Sequence, residues 1–339
     1  MDLLSVPPER RAAIEQLDGH LRPGMTVAMT THINADGDGC GSEAALAHLL
    51  LNREIRSYIV NPTPWPSLFD FLLGGPVVNR SAEGAAALRG ADVLVVLDIS
   101  DVKRLGVLTD AVRALDIPKL TIDHHVPSDE PPGPLVVSDT TACATGELVY
   151  DLARVLGMEI DAAAARGLYV ALLTDTGSFR FSNTSPRCHA VAGSLLGRGV
   201  DPEEMYRRIY ASAPLGRLKL VGEALETLES DEQAGVSWIS VPAEALERHG
   251  VSGEDLEGIA EYARSVAGTR LAMFFRDLGH GKVKVSFRST GDVDVNRFAR
   301  QFGGGGHARA AGALIPGALA DVRDRVVAAA RDFVVRSRD

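Results

Sequence analysis

MTVAMTTHINADGDGCGSEAALAHLLL, residues 25–51, decides how this chain folds. A short apolar, β-branched run over 26–30 passes at once into a loop carrying His32, Asp36 and Asp38. Glycines at 37, 39 and 41 read there as residues that permit tight turning, and an amphipathic helix is expected over about 41–51. Strand, loop and helix in that order begin a βαβ unit. The pattern recurs to about residue 181, with strand-like runs at 56–60, 93–97 and 120–122 and amphipathic segments at 146–156 and 161–173. Such alternation implies right-handed crossovers and an α/β fold: a mostly parallel sheet with helices on both faces.

In sheets of this kind ligands bind beyond the carboxyl ends of the strands. The chemically distinctive residues fall at those places. His32 follows the first run, VLVVLDIS (93–100) ends its run on Asp98, and TIDHH (121–125) ends on Asp123, His124 and His125. In LLTDTGSFRFSNTSP (172–186), Asp175 closes an apolar helix or strand. Each aspartate alone also reads as a helix or turn cap. An unpaired carboxylate ending an apolar run is costly, however, unless a cation or donors satisfy it. Carboxylates joined by imidazoles suit two divalent ions and favour Mn²⁺ over Mg²⁺ or Ca²⁺. Two such ions about 3.5–4 Å apart are a common device for phosphoester hydrolysis. The D-x-D-G run is not a calcium loop, because Ala47 stands where the closing glutamate would be needed.

A formal net charge of −10 argues against a long groove for duplex DNA, although a short phosphorylated ligand on a local basic cluster is compatible with it. Cys40, Cys143 and Cys188 have no CxxC spacing, which fits a reducing, cytoplasmic location, and Cys40 is expected to serve packing. The first residues, MDLLSVPPERRAAIEQL, contain no apolar leader core, and charges interrupt every later apolar stretch, so no membrane association is expected.

Beyond Leu215 the pattern changes to helix 217–228, strand 236–241, helix 256–263, strands 271–275 and 282–287, and a long helix 319–336. Within KVKVSFRSTGDVDVNRFARQFGGGGHARAAG (282–312), Val283, Val285 and Phe287 alternate as core residues. Arg288 ends a strand, and the glycines 303–306 before His307 leave backbone N–H groups free to approach an anion, with Arg309 adding charge.

His32-x-x-x-Asp36-x-Asp38, Asp98, Asp123-His124-His125, Asp175 and the GGGGH run occur together in an order that resembles the DHH/DHHA1 phosphoesterase superfamily, in its NrnA-like oligoribonuclease and pAp phosphatase branch. The resemblance spans about residues 20–315 and departs at Ala35, often proline in the family, and at Gly39. It implies a DHH catalytic domain over 1–198, a helical linker over 199–217 and a smaller α/β DHHA1 substrate-binding domain over 218–339, with the active site in the interdomain cleft. By similarity, His32 and Asp36 would bind one Mn²⁺, Asp38, His124 and Asp175 the other, and Asp98 both, with Mg²⁺ or Co²⁺ as alternatives. Asp123 would orient a histidine, His125 would face the scissile phosphate, and Arg288, Gly305, His307 and Arg309 would hold the substrate.

The implied activity is hydrolysis of short oligoribonucleotides to mononucleotides, of pAp to AMP, or of both, by a homodimer. A soluble phosphodiesterase for linear or cyclic dinucleotides stays open, and so does a catalytically silent nucleotide sensor. The basic C-terminal signature of manganese pyrophosphatases is absent, and RecJ-like exonucleases need additional DNA-gripping domains.

Overall fold

The structure is a computed structural model that describes residues 2–256, 258–306 and 308–337. The chain forms two compact units, the first running to Ala211 and the second beginning at Ser212. The first comprises α1 (Pro8–Asp18), β1 (Thr26–Thr30), α2 (Gly37–Leu51), β2 (Arg56–Ile59), α3 (Ala85–Leu88), β3 (Val93–Leu97), α4 (Thr109–Ala114), β4 (Lys119–Asp123), β5 (Leu135–Ser138), α5 (Thr145–Val155), α6 (Ala162–Asp175), α7 (Pro186–Leu196) and α8 (Pro202–Tyr210).

Its five strands lie in the order β2-β1-β3-β4-β5, all parallel. Val93 to Leu97 are all buried, as a strand covered on both faces requires. Val27, Met29, Val95 and Ile122 face a core shared with α2, α5 and α6, while Ala28, Leu94 and Val96 join a second core with Leu88, Leu105 and Val112. Strand β5 was not anticipated, although Leu135-Val136-Val137 is a short β-branched run. It is four residues long, follows Pro131, Pro132 and Pro134, and buries only Val137, as an edge strand can.

The start of α2 differs from the sequence expectation. Asp36 accepts hydrogen bonds from the N–H groups of Asp38 (3.0 Å) and Gly39 (3.1 Å), so the helix begins at Gly37, about four residues early. Glycines 37, 39 and 41 therefore lie within the helix, and their role is close packing. A Cβ on Gly37 would strike the Thr174 side chain, and one on Gly39 would come within 2.7 Å of Thr31 Oγ1. One on Gly41 would come within 2.5 Å of the Gly167 carbonyl oxygen, and Gly167 reciprocates against Gly41 and Ala45. The backbones of α2 and α6 thus touch at a glycine pair.

Gly41→Ala is expected to destabilise the protein by up to about 2 kcal/mol. Helix propensity would favour alanine by roughly 1 kcal/mol, but forcing two packed backbones apart costs about 1–3 kcal/mol. Thermal unfolding checks the sign.

The second unit comprises α9 (Leu215–Glu226), β6 (Glu229–Asp231), β7 (Val236–Val241), α10 (Ala245–His249), α11 (Ile259–Arg264), β8 (Leu271–Asp277), β9 (Lys282–Ser289), α12 (Val295–Arg300), β10 (Gly305–Gly306), β11 (Ala310–Pro316) and α13 (Leu319–Arg336). The sheet order is β10-β11-β9-β8-β7-β6, with β7 and β8 parallel and the other pairs antiparallel. Val283, Val285 and Phe287 are buried against α12 and α13, as their alternation implies. The opposite face packs on α9 and α11 through Ile239, Val241, Ala272 and Phe274.

Among the described residues no helix is long and apolar enough to cross a membrane.

Candidate metal centre

The carboxyl ends of β1, β3 and β4, the start of α2 and the end of α6 bring the eight candidate side chains of the first unit together. Asp36 has two uses. One carboxylate oxygen caps α2, and the other lies 3.6 Å from His32 Nε2. Asp38 is buried. Its Oδ2 accepts from the Thr145 N–H at 2.6 Å, and its Oδ1 accepts from the Gly146 N–H at 2.9 Å and from Ser42 Oγ at 3.2 Å. It thereby supplies the cap that Ala144, at the N-terminus of α5, cannot provide for its own helix.

Asp98 follows β3 with φ +63°, a conformation that costs a residue other than glycine about 1–3 kcal/mol and that clusters at functional sites. Its backbone N–H donates to the Ile122 carbonyl at 2.9 Å, and Thr145 Oγ1 donates to its Oδ1 at 3.1 Å. Asp98 Oδ2 lies 3.3 Å from His32 Nε2, while Oδ1 lies 3.7 Å from His124 Nε2 and 3.6 Å from His125 Nδ1. Asp123 is the last residue of β4, one position earlier than a loop placement, and its Oδ1 holds His125 Nδ1 at 2.8 Å. Asp175 is the C-terminal residue of α6, where the helix dipole disfavours a carboxylate, so its cap reading fails. Its Oδ2 is 3.6 Å from His124 Nε2 and accepts from Asn183 Nδ2 at 3.2 Å.

These residues fit divalent cations for reasons of hydrogen bonding and charge. His32 Nδ1 meets the Ile33 carbonyl at 2.9 Å and His124 Nδ1 meets the Ala142 carbonyl at 3.3 Å, so both Nδ1 atoms carry the proton. With Nδ1 donating, each ring turns Nε2 toward carboxylates, and both Nε2 atoms are buried without a hydrogen-bond partner. Lone pairs facing anions demand a positive charge between them. Burial pulls His32 down, yet hydrogen bonding and charge from Asp36 and Asp98 outweigh it and push its pKa to about 10. A proton there answers the same demand as a metal ion.

Burial, and then the charges of Asp98, Asp175 and Asp36, hold the Asp38 carboxyl well above its ordinary range. Burial also lifts Asp175 to about 6, with His124 opposing and Asp98 adding to the rise. The donor atoms of His32, Asp36 and Asp98 lie within 4.8 Å of one another, as do those of Asp38, His124 and Asp175. Ligands bound at about 2.0–2.2 Å sit roughly 3–3.5 Å apart around one ion, close to the separations here. Asp98, His124 and His125 form a third such group. Its His125 Nδ1, however, is already engaged by Asp123, which raises the imidazole pKa despite burial.

Thr145, Gly146 and Asn183 were not anticipated. Thr145 and Gly146 act on Asp38 and Asp98 from distant parts of the sequence, where only the "TG" opening an amphipathic run hinted at a helix start, while Asn183 reaches Asp175 from eight residues further along. Thr145→Val keeps the backbone bond to Asp38 and removes the hydroxyl that orients Asp98. It is expected to lower metal affinity by roughly 10- to 100-fold with the fold intact, measured as activity against metal concentration.

In the second unit, Arg288 donates from Nε to Glu261 at 3.2 Å and from a terminal nitrogen to the Phe287 carbonyl at 3.1 Å. Arg309 and Gly305 are exposed, and His307 lies outside the described residues. The glycine run is less open than the sequence suggests. Gly303 N–H donates to Arg300 O, Gly304 N–H to Ala299 O, and β10 pairs with β11. Gly304 passes so close to Gly312 O that no Cβ would fit.

Comparison with known proteins agrees with this geometry. A family model described as DHH family, N-terminal domain, matches residues 26–172, and one described as DHHA1 domain matches residues 233–336. The bifunctional oligoribonuclease and PAP phosphatase NrnA of Thermus thermophilus is 33% identical over 92% of this chain and 91% of its own. Its namesake in Bacillus subtilis is 29% identical over 86% of this chain and 89% of its own. The solved structure of an exopolyphosphatase-related protein from Bacteroides fragilis superposes with a TM-score of 0.89 at 25% identity, covering 97% of this chain and 98% of that one. Fold, site and relatives define a phosphoester hydrolase. Within that class, the chain belongs to the DHH/DHHA1 phosphoesterase superfamily and to its NrnA branch.

Proposed function

We propose that this hydrolase cleaves short oligoribonucleotides to mononucleotides and removes the 3′-phosphate of pAp, using two divalent cations, Mn²⁺ foremost. The observation that carries this reading is the pair of donor sets, His32, Asp36 and Asp98 on one side and Asp38, His124 and Asp175 on the other, with the second oxygen of Asp98 facing His124 of the other set, which supports Asp98 as a ligand to both ions. The names of the two NrnA relatives supply the substrate class. When bound, such ions neutralise phosphoryl oxygens and lower the pKa of a water.

The chain's own residues do the rest. Asp36 and Asp38 stay fixed by capping α2 and α5, so their carboxylates need no reorganisation when charge develops. Asp123 holds one nitrogen of His125 and leaves Nε2 to meet the scissile phosphate. Asp98 and His125 carry the chemistry, with Asp123 as the orienting group. In the second unit, Arg288, Gly305, His307 and Arg309 hold the remainder of the substrate, and phosphate competes with Glu261 for Arg288.

The experiment is a hydrolysis panel with Mn²⁺, Mg²⁺ or Co²⁺ added to chelator-treated protein. Its substrates are 5′-labelled RNAs of two to five nucleotides, pAp, and linear and cyclic dinucleotides. Mononucleotide release from RNA and AMP from pAp, restored best by Mn²⁺, is the expected result. Hydrolysis of cyclic dinucleotides alone would replace this reading with the phosphodiesterase one, and metal-independent turnover would remove the two-ion basis.

A further inference from the structure

The segment after α6, Gly177 to Thr184, is not used by the metal centre except through Asn183. Ser178 and Phe179 both have φ near +60°, two consecutive non-glycine residues in the left-handed region. This conformation separates two phenylalanines that stand two residues apart. Phe179 turns inward, with its ring 6.0 Å from Tyr169 and stacked at 5.4 Å on His189. Phe181 stays 51% exposed.

The exposed ring is nevertheless fixed. Its tip lies against Gly177, where any Cβ would overlap it, and the Phe181 N–H donates to the Thr176 carbonyl at 3.0 Å. The neighbouring Arg180 side chain is tied from Nε to the Gly177 carbonyl at 2.6 Å. Gly177 is two residues from Asp175, and Asn183 Nδ2 returns to the Asp175 carboxylate, so the loop is anchored at both ends beside the cluster. Ser178 Oγ, Asn183 Oδ1 and Thr184 Oγ1 are buried without a hydrogen-bond partner. An apolar ring held in water, in a loop that stores strain and leaves polar atoms unpaired, costs stability. Such features persist where a ligand uses them.

We propose that Phe181 is a stacking platform for a nucleobase of the substrate, placing that nucleotide's phosphate at the metal centre. This rests on the nucleotide-hydrolase reading above and assigns a specificity role on the first unit. A planar ring offers a face to any base, so the recognition tolerates sequence and suits mixed short RNAs.

The test compares metal-loaded wild type with Phe181→Ala, Phe181→Leu and Phe181→Trp on a dinucleotide and on two abasic versions, each lacking one base. Phe181→Ala is expected to raise KM by roughly 10- to 100-fold on the intact dinucleotide with kcat changed far less, and Trp to retain wild-type KM. On one abasic version, wild type and Phe181→Ala should converge. An unchanged KM in Phe181→Ala, or the same loss on all three substrates, overturns the platform while leaving the hydrolase reading standing. Failure of wild type to hydrolyse any of them overturns both.

Discussion

Asp98→Asn is expected to reduce turnover by on the order of 10³-fold or more, about 4 kcal/mol in transition-state stabilisation, without lowering the stability of the metal-free protein. The two halves of this result have separate causes. Asp98 places one oxygen 3.3 Å from His32 Nε2 and the other 3.7 Å from His124 Nε2, so it faces a histidine of each donor set. Asparagine keeps the shape and can still accept from Thr145 Oγ1, yet it removes the negative charge that stands between the two histidines. Stability follows different terms. At φ +63°, asparagine is better tolerated than most residues, and the repulsion from Asp38 and Asp175 that the lost charge relieves offsets the attraction to His32 that it forfeits. Steady-state kinetics at saturating metal, alongside thermal unfolding of chelated protein, read both. Near wild-type turnover would show that Asp98 is not the shared ligand.

The largest effect on stability is expected for Arg10→Met, at about 3–5 kcal/mol, a large share of the roughly 5–15 kcal/mol that holds a typical domain folded. Arg10 is almost fully buried and donates to Asp139 (2.7 Å), Glu147 (2.8 Å) and Asp151 (2.6 Å). Arg187 shares Glu147 and Asp151, so two guanidiniums serve three carboxylates. The side chains of Glu147 and Asp151 are at most 1% exposed, which leaves no water to replace the missing donor.

The damage should also reach the metal centre. Glu147 accepts from the Cys143 N–H at 3.1 Å and steadies the turn that delivers the Thr145 and Gly146 N–H groups to Asp38. Arg10→Met is therefore expected to raise the metal concentration needed for half-maximal activity as well as to lower the urea midpoint. A stability loss under about 1 kcal/mol would place this network in the class of weak, screened pairs.

The sequence alone determined the parallel α/β sheet of the first unit, because a covered strand must read as a continuous apolar run and its helices must alternate with it. It also determined where the chemistry would gather. His32, Asp98 and the Asp123-His124-His125 group stand at strand ends, and a parallel sheet puts those ends on one edge whatever the helices do. The assignment of ligands to two halves came through the family pattern.

Tertiary structure decided the rest, and in each case the missing information was a distance between elements remote in the chain. Glycines 37, 39 and 41 looked like turn formers, and only the approach of Gly167, Thr174 and Thr31 made them packing residues. Nothing near Asp38 announces that its carboxylate caps a helix beginning 107 residues later. The left-handed backbone of Asp98 and the pairing of Arg10 with carboxylates more than 120 residues away are of the same kind. Local pattern fixes which face of an element is apolar. Which atoms then meet across a packed interface is set by close-packing and by the need to pair every buried charge, and those conditions exist only once the chain has folded.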